Sequence, residues 1–291
     1  MIVDIHIHSG LIPDQTPEDW ARELYTPFKR PFDMDSKRPE RIIADLDAAG
    51  VDIGLIQASD LRRTNSNEKR PGPYATNDYV AEVVAQYPDR LVGECGLDPI
   101  RDPWWAVKEL DRCVKELGFK ALKLLPTYGY YSPDDERIYP LYEKAIELDI
   151  PVHIHMGWTP TIHAPMKYQL PYLLDDVGIR YPELKVIVAH LGYPWVDECI
   201  CLIWKHQNFS CDIAYWGGFP DDFILQTLLK CGATIGYERI LYGSENNFIA
   251  MGTHKLRGLN KYAREHNLPE IPHEAMNLIL GGNAQRILKI G

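Results

Sequence analysis

Short apolar segments alternate along the chain with longer segments of helical periodicity. The apolar segments have the length and the β-branched composition of buried strands. The predicted strands are Ile2–His8, Val51–Gln57, Leu91–Gly96, Phe119–Leu125, Ile150–Met156, Leu184–His190, Asn208–Ile213 and Ile240–Glu245. Strands that alternate with helices in this way are typical of a parallel sheet.

A segment with helical spacing follows each predicted strand. The predicted helices are Arg38–Ala49, Tyr74–Gln86, Trp104–Leu117, Ile138–Leu148, Tyr168–Tyr181, Pro194–Lys205, Asp221–Cys231 and Thr253–His266, with His273–Leu280 and Ala284–Leu288 closing the chain. This order predicts a single-domain α/β fold over residues 1–291, a (β/α)8 TIM barrel, which usually needs ~250 residues. An open doubly wound sheet is disfavoured because no glycine-rich phosphate-binding turn follows a strand.

Two connections are longer than a barrel requires. Ser9–Lys37 follows the first predicted strand and is rich in proline and aromatic residues, and Ala58–Pro73 follows the second. Both insertions follow carboxyl ends of strands, which form the catalytic face of such a barrel. We therefore expect these loop insertions to form a lid.

Charge and composition narrow the class of partner. With 31 basic and 41 acidic residues the formal net charge is −10, so neither nucleic acid nor an anionic membrane surface is an expected partner. No apolar run approaches the ~20 residues that span a bilayer, and the first residues lack the pattern of a signal peptide. The six cysteines contain no C-x-x-C pair. These features predict a cytoplasmic enzyme with reduced thiols and a small-molecule substrate.

Histidines concentrate at the ends of three predicted strands. Because side chains alternate along a strand, His6 and His8 share one face of the first strand, opposite Val3, Ile5 and Ile7, which would pack against outer helices. His153 and His155 repeat this spacing in the fifth strand, and His190 ends the sixth. Five of the ten histidines thus meet at one rim of a barrel, which indicates a metal site. The alternative is a polar core of mutually bonded histidines.

Glu245 ends the eighth predicted strand, which neighbours the first strand in a closed barrel. Its carboxylate is a candidate metal ligand and a candidate acceptor for the proton of a metal-bound water. The alternative is an acid that belongs to a helix N-terminus.

Aromatic residues follow several of the strands. Tyr128, Trp158 and Trp216 lie in these positions and are candidates for lining a pocket for a planar or cyclic substrate; the alternative is packing of the barrel rim. Arg62, in the second insertion, is a candidate for binding a substrate carboxylate, unless it belongs to a solvated surface.

Taken together, five motifs resemble the amidohydrolase superfamily. They are Asp4-x-His6-x-His8, the segment Ile150–Gly157, Ala189-His190-Leu191-Gly192, Tyr242-Gly243-Ser244-Glu245 and the tail Ile279–Leu288. The resemblance covers residues 2 to 290. It is greatest to the amidohydrolase-related branch, which includes aminocarboxymuconate-semialdehyde decarboxylase, γ-resorcylate decarboxylase and many metal-dependent hydrolases.

The resemblance implies one divalent ion, zinc or manganese, held by His6, His8 and His155, with His153 as a second candidate ligand or a neighbour of the ligands. His190 would orient or deprotonate the metal-bound water. Glu245 stands where the family usually has aspartate, so direct ligation by Glu245 is less secure than ligation by the histidines.

Lys123 lies on the strand that carries a carboxylated, metal-bridging lysine in some members of the superfamily. A structural or substrate-facing charge is the expectation here, because this branch usually has one metal ion and no bridging lysine. Many members of the family are dimers, which implies a homodimer.

Three functions follow from these expectations. The first is a metal-dependent hydrolase that acts on a small cyclic or aromatic carboxylated substrate through a metal-activated water. The alternative is non-oxidative decarboxylation of an aromatic or enoic acid, with His190 or Glu245 protonating carbon. A catalytically inactive barrel used for binding is the third.

Overall fold

The computed structural model describes residues 1–8, 15–17, 22, 34–61, 72–162, 164–246 and 249–291. Eight parallel strands form one sheet in the order of the chain. They are β1 (Val3–His8), β2 (Ile53–Gln57), β3 (Leu91–Gly96), β4 (Ala121–Leu124), β5 (Val152–Ile154), β6 (Val186–Val188), β7 (Phe209–Asp212) and β8 (Ile240–Leu241). The Ile5 N–H donates to the Tyr242 carbonyl and the Glu245 N–H to the His6 carbonyl, each at 3.0 Å. These bonds join the last strand to the first, and the predicted barrel is confirmed.

Helices connect the strands on the outside of the barrel. They are α1 (Pro39–Ala49), α2 (Asn77–Gln86), α3 (Pro103–Lys115), α4 (Tyr139–Glu147), α5 (Asp175–Arg180), α6 (Val196–Lys205), α7 (Asp221–Thr234), α8 (Ile249–Glu265), α9 (His273–Asn277) and α10 (Asn283–Leu288). Within the described ranges, no helix is both long enough and apolar enough to cross a membrane.

The helix predicted over Tyr168–Tyr181 is wrong in its first half. The structure has two 3-10 turns there, Met166–Tyr168 and Pro171–Leu174, before α5. Pro171 lacks an N–H and its ring clashes with the preceding helical turn, so an α-helix cannot run through this position.

The amino-terminal end of the barrel interior is apolar. Leu55, Ala121, Ile187 and Leu241 contribute one side chain from each even-numbered strand and pack in one cluster, the layered arrangement expected inside a TIM barrel. Ala284, Ile287 and Leu288 of α10 pack against the same cluster. This end of the barrel is therefore filled, and chemistry is confined to the opposite end.

The predicted outward orientation of Val3 and Ile5 is wrong. Both side chains belong to the interior apolar cluster, whereas Ile7 packs in the main hydrophobic core, which also contains Ile42 and Leu46 of α1. The register between β1 and β2 shifts between Asp4 and Ile7. An irregularity of this kind breaks the strict alternation of faces on which the prediction rested.

The two predicted insertions lie largely outside the described residues. After β2, Ser59–Asp60 pairs antiparallel with Tyr74–Ala75. The six cysteines are free thiols, and five of them are buried.

Candidate metal centre and active site

Three side chains converge at the carboxyl end of the barrel where β1 meets β8. Glu245 Oε1 lies 2.8 Å from His8 Nε2 and Glu245 Oε2 lies 3.1 Å from His6 Nε2. We call His6, His8 and Glu245 the outer set; their ligand atoms all lie within 4.8 Å of one another. Metal bonds of about 2.0–2.2 Å place neighbouring ligand atoms about 3 Å apart, so this spacing suits one divalent cation.

The ionisation of the outer set also suits a cation. Burial lowers the pKa of His6 and of His8, so both imidazoles are neutral. Burial acts to raise the pKa of Glu245, but the adjacent His6 and His8 hold it well below its usual range. Glu245 Oε2 is buried without a hydrogen-bond partner, and such an atom needs a ligand or a cation to offset its desolvation.

The second nitrogen of each imidazole contacts a neighbouring strand. The His6 Nδ1–H donates to Asp212 Oδ2 at 2.8 Å, which leaves a lone pair on Nε2. The Gln57 side-chain amide lies 2.6 Å from His8 Nδ1. Gln57 contacts Nδ1 through its Nε2, whose N–H donates, so the His8 proton lies on Nε2 beside Glu245 Oε1 and has to leave when Nε2 binds a metal ion.

His155 and His190 extend the site towards β5 and β6. His190 Nε2 lies 3.2 Å from His155 Nδ1 and 3.9 Å from Glu245 Oε2, and its ring stacks on His6 with the ring centroids 4.9 Å apart. His155 Nε2 is buried without a partner, as an unoccupied ligand atom would be. Burial lowers the pKa of both rings.

A second group lies deeper in the barrel, and we call His6, His153 and Asp212 the inner set. Its three ligand atoms also lie within 4.8 Å of one another. His153 Nε2 lies 2.7 Å from Asp212 Oδ2, and His153 Nδ1 lies 3.2 Å from Glu94 Oε1. Lys123 Nζ is 3.2 Å from both His6 Nε2 and His153 Nε2. Among the described residues, His155 belongs to neither set of three.

Backbone in the left-handed region surrounds the site. Non-glycine residues with positive φ follow the carboxyl ends of β6, β7 and β8: His190 (60°), Leu191 (46°), Tyr215 (58°), Glu245 (60°) and Asn246 (54°). The predicted strands Leu184–His190 and Ile240–Glu245 therefore end early, at Val188 and Leu241. Each such residue costs roughly 1–3 kcal/mol, and strain of this kind concentrates at functional sites.

The four candidate substrate-binding residues differ in their environment. Tyr128 lies with its ring 5.3 Å from that of His155, and Trp158 is 37% exposed. Trp216 is 1% exposed and packs on Phe223, which is a core environment. Arg62 lies outside the described residues.

Three further polar residues at the site were not predicted. Gln57 ends a predicted strand and Asp212 is the next-to-last residue of another, so their position near the catalytic rim was a usable signal. Tyr215 follows the end of β7; its ring lies 5.1 Å from that of His190, and its buried hydroxyl has no hydrogen-bond partner.

Residues 3–290 match the family model described as Amidohydrolase. The chain belongs to the amidohydrolase superfamily. Its relatives include the 2-keto-4-carboxy-3-hexenedioate hydratase of Sphingobium sp., 29% identical over 67% of this chain and 67% of the relative. The gamma-resorcylate decarboxylase of Polaromonas sp. is 28% identical over 81% of this chain and 82% of the relative.

A solved dihydroxybenzoic acid decarboxylase from Polaromonas sp., with bound manganese and the inhibitor 2-nitroresorcinol, has the same fold. It superposes with a TM-score of 0.70 at 21% identity and covers 99% of this chain and 96% of that chain. This member of the amidohydrolase superfamily is thus an enzyme, and its relatives include decarboxylases and a hydratase.

Proposed function

We propose that this chain is a metal-dependent carboxy-lyase that releases carbon dioxide from a planar aromatic or enoic acid. The observation that carries the proposal is the outer set, whose ligand atoms lie within 4.8 Å of one another, with His190 Nε2 3.9 Å from Glu245 Oε2. The names of the relatives favour a lyase over the hydrolase that we expected first. Manganese in the Polaromonas structure supports manganese as the ion, with zinc as the alternative.

In this proposal His6, His8 and Glu245 hold the ion, with His155 as the fourth protein ligand. When bound, the ion supplies positive charge that orients the substrate carboxylate and stabilises the negative charge that develops during bond cleavage. The unpaired atoms Glu245 Oε2 and His155 Nε2 support this ligand set. His153 is excluded from it by its contacts with two carboxylates.

His190 and Glu245 are the groups that move the proton. The pKa directions leave Glu245 ionised and His190 neutral at rest, so the proton that replaces the carboxyl group enters with the substrate or from solvent. His190 Nε2 lies 3.9 Å from Glu245 Oε2, beyond hydrogen-bond distance, so each group exchanges that proton with the substrate or with solvent rather than with the other.

Lys37 and two aromatic rings complete the proposed substrate site. Lys37 is 5% exposed, forms no ion pair with a described carboxylate, and its charge contributes to the lowered pKa of His8. A buried ammonium in this position suits a substrate carboxylate. Tyr128 and Tyr215, which contact His155 and His190, supply flat surfaces for a planar substrate.

Hydration of an enoic acid is the second candidate. It is favoured by the similarity to the Sphingobium hydratase and uses the same residues, with His190 and Glu245 managing the protons of an added water. The hydrolysis expected from the sequence also uses these groups, so product analysis has to separate the three reactions.

The test incubates manganese-loaded protein with dihydroxybenzoates, carboxylated enoic acids and lactones. We expect carbon dioxide from at least one acid and, in deuterated water, one deuterium at the vacated carbon. His190→Asn should lower this rate by ~10²–10⁴-fold, whereas His206→Asn should not. His206 is also buried but bonds Asp175, away from the site. Acid release from a lactone without carbon dioxide would favour hydrolysis, and loss of the double bond alone would favour hydration.

A further inference from the structure

Asp212, at the end of β7, is a fully buried carboxylate with four hydrogen bonds. Its Oδ2 accepts from His6 Nδ1 at 2.8 Å and from His153 Nε2 at 2.7 Å. Its Oδ1 accepts the backbone N–H groups of His190 and Ala214, each at 2.8 Å. One side chain thus contacts β1, β5 and the turn after β6, in addition to its own strand.

The bond to His6 sets the ring tautomer. A carboxylate can accept but not donate, so the His6 proton is held on Nδ1 and the lone pair on Nε2 faces Glu245 Oε2 at 3.1 Å. A metal-ligating imidazole requires this arrangement, because the coordinating nitrogen has to be unprotonated.

The hydrogen bond from the His190 backbone N–H to Asp212 fixes the turn that carries His190. His190 and Leu191 have φ values of 60° and 46°, a conformation that non-glycine residues adopt only where the surroundings stabilise it. The His190 N–H at Asp212 Oδ1 is one such stabilising contact. The ring of His190 stacks on His6, so the same carboxylate fixes both rings of this stacked pair.

We propose that Asp212 is a positioning residue that couples the metal-binding orientation of His6 to the placement of His190. The metal part of this inference rests on the proposed function. The part that concerns the two histidines stands on the four hydrogen bonds alone.

The competing interpretation is that the inner set holds a second metal ion. The contacts disfavour it. Asp212 Oδ2 already accepts from two imidazoles, and the other nitrogen of His153 contacts Glu94 Oε1 at 3.2 Å. Both nitrogens of His153 therefore already contact carboxylates, and neither is left for a second ion.

The test uses the full chain with histidine ring nitrogens labelled with ¹⁵N. In the zinc-loaded wild type, long-range ¹H–¹⁵N spectra should show His6 protonated on Nδ1, and metal analysis should find one ion per chain. The amide of Asp212→Asn cannot accept all four protons, because its NH2 group has to face either the two imidazoles or the two backbone N–H groups. The substitution should weaken zinc affinity by ~10–100-fold, shift the His6 tautomer and lower kcat at saturating metal more than it changes KM.

Asp98→Asn is the matched control, because Asp98 is 3% exposed and accepts from the backbone of Ile100 rather than from a histidine. An unchanged His6 tautomer and zinc affinity in Asp212→Asn would overturn the proposal. So would a second bound ion that Asp212→Asn removes.

If the variant does not fold, the wild type still decides, since His6 protonated on Nε2 alone contradicts the assigned role. A wild type that binds neither manganese nor zinc refutes the proposed function, while the tautomer in the metal-free protein continues to test the role of Asp212.

Discussion

The outer and inner sets share His6 yet differ in how their polar atoms are satisfied. In the outer set, Glu245 Oε2 has no hydrogen-bond partner, and the side chains of His8 and Glu245 are 18% and 25% exposed. In the inner set, His153 and Asp212 are fully buried and each of their polar side-chain atoms contacts a partner. The comparison teaches that a metal-capable spacing alone does not identify a metal site. An unpaired atom in a partly exposed set favours a ligand site, whereas fully paired atoms favour a supporting role.

His8→Ala, in the outer set, gives the largest expected effect and tests whether this set binds the metal ion. Removing one ligand should leave less than about a tenth of an ion per chain and lower turnover by ~10⁴-fold or more, because several kcal/mol of transition-state stabilisation come from the ion. The melting temperature of the metal-free protein should change little. Metal analysis and steady-state kinetics check this, with His254→Ala, at an exposed position of α8, as the control. Full retention of the ion would remove His8 from the ligand set.

A substitution in the inner set should lower the free energy of unfolding. His153→Ala leaves the buried carboxylates of Glu94 and Asp212 without their shared partner. We expect a loss of about 3–5 kcal/mol in the free energy of unfolding, the usual cost of breaking a buried ion pair. Urea titration of the metal-free variant measures it. A loss below about 1 kcal/mol would show that the inner set is not the support that its contacts indicate.

Asp4 tests a buried acid that belongs to neither set. Burial raises its pKa from 3.8 to about 7, and Asp4 Oδ1 accepts the N–H groups of His6 and Ser244. Because the folded-state pKa is raised, the contribution of Asp4 to stability is complete below about 3.8 and is lost as pH rises through about 7.

Asp4→Asn should remove this pH dependence. Across that window the variant should lose about 4 kcal/mol less stability than the wild type. Unfolding titrations at several pH values measure the difference, and parallel profiles for the two proteins would contradict the assigned ionisation of Asp4.

The sequence by itself determined the barrel, the catalytic end and most of the candidate ligands. Strands that alternate with helices leave few topologies, and a parallel barrel places every strand terminus on one rim. His6, His8, His155, His190 and Glu245 could therefore be assigned to one rim from their positions alone.

The tertiary structure decided which of these atoms share a common space. The irregularity in β1 reversed the predicted faces of Val3 and Ile5, and the positive φ values at His190 and Glu245 aim side chains that a regular strand would direct elsewhere. The roles of His153 and Asp212 likewise depend on contacts between strands far apart in the chain. Periodicity assigns a residue to a face, but hydrogen bonds across the barrel decide whether its polar atom is paired or left for a ligand.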